Sequence, residues 1–158
     1  MKEIQLTQGK VALIDDEDFD YLNQWKWCAV KGRKTYYAKR SIYPAGIHKM
    51  QALHRVIMNT PGDMEVDHKD HNGLNCQKHN IRNCTHSQNR ANRFPLNGKR
   101  YLGVHINRGK YIIAHIRISG KIIHLGTFKT EEDAARAYDK AARKYHGEFA
   151  NLNLNSNE

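Results

Sequence analysis

The chain of 158 residues, 18.3 kDa, has room for one ordinary domain or two small ones, which excludes a large multidomain enzyme. Hydrophobic residues make up 39% of it, the mean hydropathy is -0.81, and no apolar run approaches the roughly 20 residues that a membrane span needs. Lys and Arg number 26 against 16 Asp and Glu, a net charge of +10 that favours a polyanionic partner, with nucleic acid ahead of a membrane surface.

The cysteines are three in number, Cys28, Cys76 and Cys84, and they form no C-x-x-C pair. This pattern argues against a disulfide framework and against a structural zinc site of four thiolates. The first ten residues lack the apolar stretch of an export signal. We therefore expect a soluble, cytoplasmic protein with no membrane partner.

The N-terminal part of the chain predicts short β-strands separated by turns. Strands are predicted at 4–6, 10–14, 25–30 and 35–40, with a turn or short helix at 15–18. Trp25, Trp27, Tyr36 and Tyr37 fall in this region. Filling a small core or covering a sheet is the expected role of these aromatic side chains, and stacking on nucleic-acid bases is the alternative.

A group of polar residues further along the chain suggests phosphodiester chemistry. A short strand ends in Asp67-His68, a long polar loop follows, and a helix is predicted over 85–92. Hydrolysis of a phosphodiester needs a base to take a proton from water and a cation to neutralise developing charge. His68 is a base with a pKa suited to neutral pH, and the oxygen atoms of Asp67 and Asn89 suit Mg²⁺, with Asp70 as an alternative ligand.

The spacing of Asp67, His68, Asn80 and Asn89 resembles that of the His-Asn-His (HNH) endonucleases whose last motif residue is Asn. The segments 53–58 and 85–89 are similar to those of phage and bacterial members of the homing type. The resemblance implies a ββα-metal unit over about 53–93 within a nuclease domain of residues 1–94. It also implies Mg²⁺, or another divalent cation such as Mn²⁺, as the cofactor.

The same resemblance implies a role for each motif residue. His68 is the general base, Asp67 and Asn89 are the metal ligands, and Asn80 is the central Asn that fixes the loop carrying His68. His54 and Arg55 are candidates to contact phosphate or to support the site. Zinc-stabilised members have paired cysteines around the motif, so no structural zinc is expected, and Cys76 and Cys84 are expected to be buried or loop thiols.

A linker is predicted at 93–98, where Pro95 and Gly98 interrupt any periodic pattern. Beyond it, strands are predicted at 101–106, 111–118 and 121–125, joined by turns suited to antiparallel hairpins. A helix is predicted from the N-cap Thr130 to Gly147. Its predicted apolar face is Ala134, Ala137, Tyr138, Ala141 and Tyr145. The Asn-rich tail at 151–158 is expected to fray.

Alternation along the three strands divides their side chains between two faces. The face expected against the helix carries Val104, Ile106, Ile112, Ala114, Ile116, Ile118, Ile123 and Leu125. The open face, with its turns, carries the candidate DNA contacts His105, Asn107, Arg108, Lys110, Tyr111, His115, Arg117, Lys121 and His124. A solvated polar face is the alternative interpretation, but residues 98–128 contain no acidic residue, which favours contact with the DNA major groove.

Residues 99–154 resemble the plant Apetala/ethylene-response-factor (AP2/ERF-type) DNA-binding domain. The resemblance rests on Tyr101-Leu-Gly-Val, Ala114-His-Ile-Arg, Leu125-Gly-Thr-Phe, the segment 132–139 and the segment 147–153. It implies that the three-stranded sheet lies in the major groove of double-stranded DNA. Of the base-reading arginines and tryptophans of that family only Arg117 is kept, so the plant target sequence is not expected to carry over.

The sequence as a whole predicts an α+β protein in two parts. The expected activity is Mg²⁺-dependent hydrolysis of DNA to 5′-phosphate and 3′-hydroxyl ends, by a monomer or a homodimer, in a bacterium or a phage-infected host. A binding-only DNA regulator with a degenerate nuclease motif is the alternative function. An RNA-binding module is a weaker third interpretation, because side chains cannot enter the deep, narrow major groove of A-form RNA.

Overall fold

The computed structural model describes residues 1–95, 100–107, 109 and 111–154. Part of the predicted linker, 96–98, and the candidate DNA contacts Arg108 and Lys110 lie outside the described residues. The chain divides into two compact units, Met1–His86 and Ser87–Glu158. In the part of the chain that the structure describes, no helix is long and apolar enough to span a membrane.

The first unit consists of three small antiparallel sheets and short helices. Its elements are β1 (Lys2–Gln5), β2 (Val11–Ile14), α1 (Asp16–Leu22), β3 (Cys28–Lys31), β4 (Tyr36–Ile42), β5 (Lys49–Ala52), α2 (Leu53–Ile57), β6 (Glu65–His68) and β7 (Ile81–Cys84). Strand β1 pairs with β2, β6 pairs with β7, and β4 lies between β3 and β5. Short 3₁₀ turns lie at Thr7–Gly9 and Pro44–Gly46.

Trp27 lies in the core of this unit, which confirms the expected packing role for that side chain. It is 2% exposed, and its indole Nε1 donates to the carbonyl oxygen of Leu22 at 2.9 Å. Trp25 and Tyr36 are partly buried against the same core. The guanidinium of Arg40 lies 3.7 Å from the ring centroid of Trp25. The N-terminal aromatic residues therefore hold this unit together.

The short helix that was one of the two alternatives at 15–18 is present as α1, where Asp16, Glu17 and Asp18 place negative charge at the helix N-terminus. One local prediction for the first unit needs correction. The strand predicted from Trp25 begins only at Cys28. Residues 23–26 instead form the turn after α1, where the Trp25 amide donates to the Leu22 carbonyl oxygen at 3.5 Å.

The second unit is a three-stranded antiparallel sheet packed on one long helix, as predicted. Its elements are β8 (Val104–Asn107), β9 (Tyr111–Ile118), β10 (Lys121–Phe128), α4 (Glu131–His146) and a 3₁₀ turn at Gly147–Phe149. Strand β9 is central. Thr130 caps α4 by accepting a hydrogen bond from the Asp133 amide at 3.1 Å, which confirms the predicted N-cap. A further short helix, α3 (His86–Ala91), comes before β8 in the chain. It begins at the last residue of the first unit, and its other residues belong to the second unit.

The helix buries a slightly different stripe from the predicted one. Tyr145 is 44% exposed, so its expected place in the core is wrong. The buried side chains of α4 are Ala134, Ala135, Tyr138, Asp139, Ala141 and Ala142. Ala135 and Ala142 thus belong to the buried stripe in place of Tyr145; they are seven residues apart and therefore lie on the same side of the helix.

Ile106 and Ile123 share the helix-side face with their register partners Ile112 and Ile116, as predicted, but they are not buried there, since their side chains are 55% and 37% exposed. Ile106 lies on the edge strand β8, close to the turn, while the alanine stripe packs on Ala114 and Ile116 at the centre of the sheet. In β10 a bulge between His124 and Gly126 shifts the register. Leu125, at this bulge, packs on both helix-side clusters.

The start of the Asn-rich tail is anchored, which corrects the expectation that it frays from residue 151. Asn153 donates to the carbonyl oxygen of Leu102 and accepts from its amide, at 3.1 and 2.6 Å. The buried carboxylate of Asp139 accepts from the amides of Asn153 and Leu154, at 2.8 and 2.9 Å. The tail therefore ties the segment that leads into β8 to α4. Residues 155–158 lie outside the described residues.

Replacing Gly103 with alanine is expected to destabilise the second unit. Gly103 has a φ of +69°, and a Cβ there would lie 2.2 Å from Cδ2 of Tyr138 and 2.4 Å from the backbone oxygen of His115. Strain and overpacking together cost roughly 2–4 kcal/mol of unfolding free energy, which urea denaturation measures. Gly109→Ala is the matched control, because Gly109 has a φ of +67° and a Cβ added to it would meet no described atom within 4 Å. Equal losses in both variants would contradict the steric argument.

Candidate active site

The hairpin of β6 and β7 positions the two adjacent residues at the centre of the predicted motif. Asp67 lies opposite Arg82 and His68 lies opposite Ile81 in the strand register. Both side chains are buried: Asp67 is 3% exposed and His68 is 7% exposed. A buried carboxylate and a buried imidazole side by side are costly for a protein unless each is compensated, so their surroundings are informative.

Arg82 compensates the charge of Asp67. Its Nε and Nη2 atoms donate to Oδ2 of Asp67 at 2.9 and 2.8 Å. The Arg82 side chain is itself largely buried, at 13% exposure. Arg82 is not recognisable from the sequence, because its contact with Asp67 depends on the cross-strand register of β6 and β7 rather than on spacing along the chain.

Asn80 organises the loop that joins these two strands. Its Oδ1 accepts from the amide of Asp70 at 3.1 Å, and its Nδ2 donates to Oδ1 of Asp70 at 2.9 Å and to the carbonyl oxygen of Asn75 at 2.8 Å. Its backbone oxygen accepts from the amide of Lys69 at 2.9 Å. Asn80 is 4% exposed, so this is an internal clamp between the two sides of the loop directly after His68.

Asp70, the alternative metal ligand, is part of the same network. Its carboxylate accepts from the amide of Asn72 and from the side chains of Asn75 and Asn80, at 2.8, 2.8 and 2.9 Å. Burial raises the pKa of Asp70, but these hydrogen bonds outweigh it and leave the pKa below its ordinary value. The carboxylate is therefore ionised and holds the loop closed.

The ring of His68 packs against two other aromatic side chains. The ring centroids of His54 and His68 are 5.0 Å apart at an interplanar angle of 90°. Tyr37, on β4, meets both imidazoles edge to face, at 5.7 Å from His54 and 5.9 Å from His68. Gly73 allows the loop to approach this group, since a Cβ there would lie 2.5 Å from the backbone oxygen of Tyr36. The two imidazoles are therefore packed against Tyr37 and against each other.

Burial keeps both imidazoles neutral. It lowers the pKa of His68, against the opposing effect of the Asp70 and Asp67 carboxylates. It lowers the pKa of His54 to about 3, with further lowering from the charges of His68, Arg55 and Lys39. At neutral pH each ring therefore keeps a nitrogen lone pair, so His68 is chemically able to accept a proton.

Cys76 lies close to two other side chains of types that can ligate a metal ion, His54 and His68. One ligand atom from each of His54, His68 and Cys76 lies within 4.8 Å of the other two. Cys76 is 1% exposed and its Sγ donates to the carbonyl oxygen of Gly73 at 3.8 Å. Burial, with a contribution from the Asp70 charge, raises the pKa of Cys76 to about 12, so the thiol is protonated here. Cys84 is also buried, and Cys28 is exposed.

Arg55 and His86 each contact nearby protein groups. The guanidinium of Arg55 donates to the carbonyl oxygens of Pro61 and Met64 at 2.7 Å each, which braces the segment before β6. His86 contacts Oε1 of Glu65 through Nδ1 at 2.8 Å. Asn89 lies on α3, in the part of the chain assigned to the second unit. Its role as a metal ligand stays a prediction, as does a phosphate contact for Arg55.

The candidate DNA-binding face of the second unit is polar and largely exposed. Asn107, Tyr111, Arg117, Lys121 and His124 are exposed, and His105 and His115 are half-buried. The rings of His105 and His115 stack at 4.2 Å with Nε2 atoms 3.1 Å apart, and His124 pairs with His115 across β9 and β10. The structure thus brings these three histidines onto neighbouring positions of one sheet, and their DNA contacts stay a prediction.

The chain is 36% identical over 141 residues to an uncharacterized HNH endonuclease of Acanthamoeba polyphaga mimivirus, an alignment that covers 84% of this chain and 73% of that protein. The chain belongs to the HNH endonuclease family. Neither a family model nor a solved structure matches it. Membership in the HNH family agrees with the resemblance seen in the residues around Asp67 and His68.

Part of this HNH family member is also similar to plant transcription factors. An AP2-like ethylene-responsive transcription factor of Oryza sativa subsp. japonica is 40% identical over 65 residues, which are 39% of this chain and 10% of that protein. An APETALA2-like protein 2 of Oryza sativa subsp. indica is 50% identical over 42 residues, which are 27% of this chain and 10% of that protein. These alignments support an AP2-like segment in this chain.

Proposed function

We propose that the protein is a DNA endonuclease that depends on a divalent cation and hydrolyses phosphodiester bonds to 5′-phosphate and 3′-hydroxyl ends. The observation that carries this proposal is the buried pair of Asp67 and a neutral His68 at the end of β6, in a chain of the HNH family. The AP2-like segment would deliver this site to double-stranded DNA. A homing or phage context is part of the proposal.

In this proposal His68 takes a proton from the attacking water. Its depressed pKa leaves the imidazole unprotonated at neutral pH, which is the form that a general base needs. Asn80 acts on the position of His68 and not on the water, because its amide clamps the two sides of the loop that begins at Lys69. Tyr37 and His54 restrict the rotation of the His68 ring through edge-to-face packing.

Asp67 and Asn89 are the residues proposed to hold the cation. A carboxylate and a carboxamide oxygen are the donor types that Mg²⁺ and Mn²⁺ prefer, so this set fits such an ion. When bound, the ion neutralises charge on the phosphate and on the departing 3′ oxygen. Arg82 already donates two hydrogen bonds to Oδ2 of Asp67, which fixes the orientation of this carboxylate.

The open sheet face is proposed to bind the DNA major groove. We expect Arg117→Ala to weaken binding to a cognate duplex by about tenfold and to reduce the slope of log affinity against log salt by about one. Arg136→Ala is the matched control, because it removes the same charge from an exposed position of α4. Fluorescence anisotropy across a salt series measures both. Equal changes in the two variants would remove the sheet face from the proposal.

Incubation of purified protein with supercoiled plasmid tests the function itself. We expect nicked or linear DNA with Mg²⁺ or Mn²⁺ and intact plasmid with a chelator, and the cut ends should be joined by DNA ligase without prior phosphorylation. Plasmid that is bound yet left intact with each cation would contradict the proposal. That result would instead support a binding-only regulator, the function that the similarity to plant transcription factors favours.

A further inference from the structure

Cys76 has no role in the proposed hydrolysis, yet it forms one cluster with His54 and with the proposed base His68. The three residues come from separate elements: helix α2, the end of β6 and the loop between β6 and β7. Their ligand atoms lie within 4.8 Å of one another. The Nδ1 atom of His54 is buried and has no hydrogen-bond partner among the described residues. A buried polar atom without a hydrogen-bond partner is unusual, and a bound ion is one explanation for it.

The donor set is selective for one class of ion. Two imidazole nitrogens and one sulfur suit Zn²⁺ or Co²⁺, whereas Mg²⁺ takes oxygen ligands. In a tetrahedral zinc site with bonds of about 2.0–2.3 Å, neighbouring ligand atoms lie roughly 3.5 Å apart. Side-chain rotations that move these atoms by about 1 Å would bring the present cluster to that size. Three protein ligands leave one coordination position for water, as in zinc sites that are not purely structural.

The backbone around Cys76 is fixed in place before any ion arrives. The Cys76 amide donates to the carbonyl oxygen of Leu13 at 2.8 Å, and Asn80 holds the adjacent Asn75 carbonyl at 2.8 Å. The Leu13 amide in turn donates to the carbonyl oxygen of Leu74 at 2.8 Å. The sulfur ligand is therefore preorganised on a loop tied to β2, which reduces the cost of assembling a site.

We propose that His54, His68 and Cys76 form a binding site for a thiophilic divalent cation such as Zn²⁺, and that this ion inhibits DNA cleavage. On binding, a sulfur–metal bond forms and the Cys76 thiol loses its proton to solvent. The bond to His68 uses the lone pair that would otherwise accept a proton from water. The inhibition rests on the proposed function, whereas the binding of the metal does not.

Absorption spectroscopy with Co²⁺ tests the site without any cleavage assay. We expect wild-type protein to bind one equivalent, with visible bands typical of tetrahedral cobalt and a near-ultraviolet band from a sulfur–cobalt bond, and Zn²⁺ should displace the cobalt. Cys76→Ser should remove the sulfur band and weaken cobalt binding by more than about tenfold. Cys84→Ser is the matched control, because it alters another buried free thiol and should leave the spectrum unchanged.

Two spectroscopic results would overturn the site: no sulfur–cobalt band in wild type, or a band that persists in Cys76→Ser. If circular dichroism shows that Cys76→Ser is unfolded, His54→Gln provides the same test through loss of the tetrahedral spectrum. For the inhibition, one equivalent of Zn²⁺ should slow Mg²⁺-supported cleavage by wild type. In Cys76→Ser, zinc should not slow cleavage relative to the rate of that variant alone.

The two proposals fail in different ways. If wild type does not cleave DNA with Mg²⁺, the proposed function is wrong and the cobalt spectrum still decides the metal site. If wild type cleaves but zinc inhibits Cys76→Ser as strongly as wild type, the ion acts elsewhere, and the inhibitory role of the cluster is wrong.

Discussion

Replacing His68 with alanine is expected to lower the rate of DNA cleavage by about 10²–10⁴-fold, the usual contribution of a general base. DNA affinity should stay close to that of wild type, because His68 is only 7% exposed and offers little surface to the duplex. Single-turnover cleavage of supercoiled plasmid with Mg²⁺ measures the rate, and anisotropy without the cation measures binding.

His79→Ala is the matched control for this substitution. His79 is an exposed histidine on the loop that Asn80 clamps, and its backbone oxygen, not its ring, accepts from Nζ of Lys69 at 2.8 Å. It should cleave at the wild-type rate. His68→Gln preserves more of the buried volume than alanine does, so a loss in both His68 variants with normal circular dichroism separates chemistry from folding. Wild-type cleavage by folded His68→Ala would exclude this residue as the base.

Asp67→Asn is expected to lower cleavage by about 10²-fold or more and to raise the Mg²⁺ concentration needed for half-maximal rate. A cation at such a carboxylate supplies several kcal/mol of transition-state stabilisation, and each 1.4 kcal/mol is about a factor of ten in rate. The substitution also removes the anionic side of the buried contact between Asp67 and Arg82, which costs up to about 3 kcal/mol of unfolding free energy.

The cation requirement separates these two effects of Asp67→Asn. A purely structural role would lower stability but leave the Mg²⁺ dependence of the folded fraction unchanged. Glu65→Gln makes the same carboxylate-to-amide change two residues earlier on β6, where the partner is the exposed His86. It should alter neither the rate nor the cation dependence. An unchanged Mg²⁺ requirement in Asp67→Asn would remove this carboxylate from the cation site.

Features that depend on local sequence could be predicted well. The alternation of β9 and the cap at Thr130 reflect interactions within a few residues, so β9 and α4 lie where the pattern places them. Asp67 and His68 are adjacent in the chain and at the end of a strand, which made their pairing visible. The turn chemistry around Gly120 likewise marks the hairpin of β9 and β10.

Features that depend on tertiary contacts could not be predicted in this way. Arg82 meets Asp67 only through the register of β6 and β7. Cys76 lies beside His54 only because the loop folds back against β2, and the cysteine spacing alone argues only against a four-thiolate zinc site. The exposure of Ile106 and Tyr145 depends on how far the helix reaches along the sheet, which alternation alone does not encode.

The rate of single-turnover cleavage in a double variant, His68→Ala with Asp67→Asn, tests the central claim most directly, because residues that serve one chemical step lose their effects together. If the base and the cation ligand act in that step, the double variant should be no slower than the slower of the two single variants. A double variant slowed by the product of the two single effects, or wild-type cleavage by either folded single variant, would contradict a joint nuclease centre at Asp67 and His68.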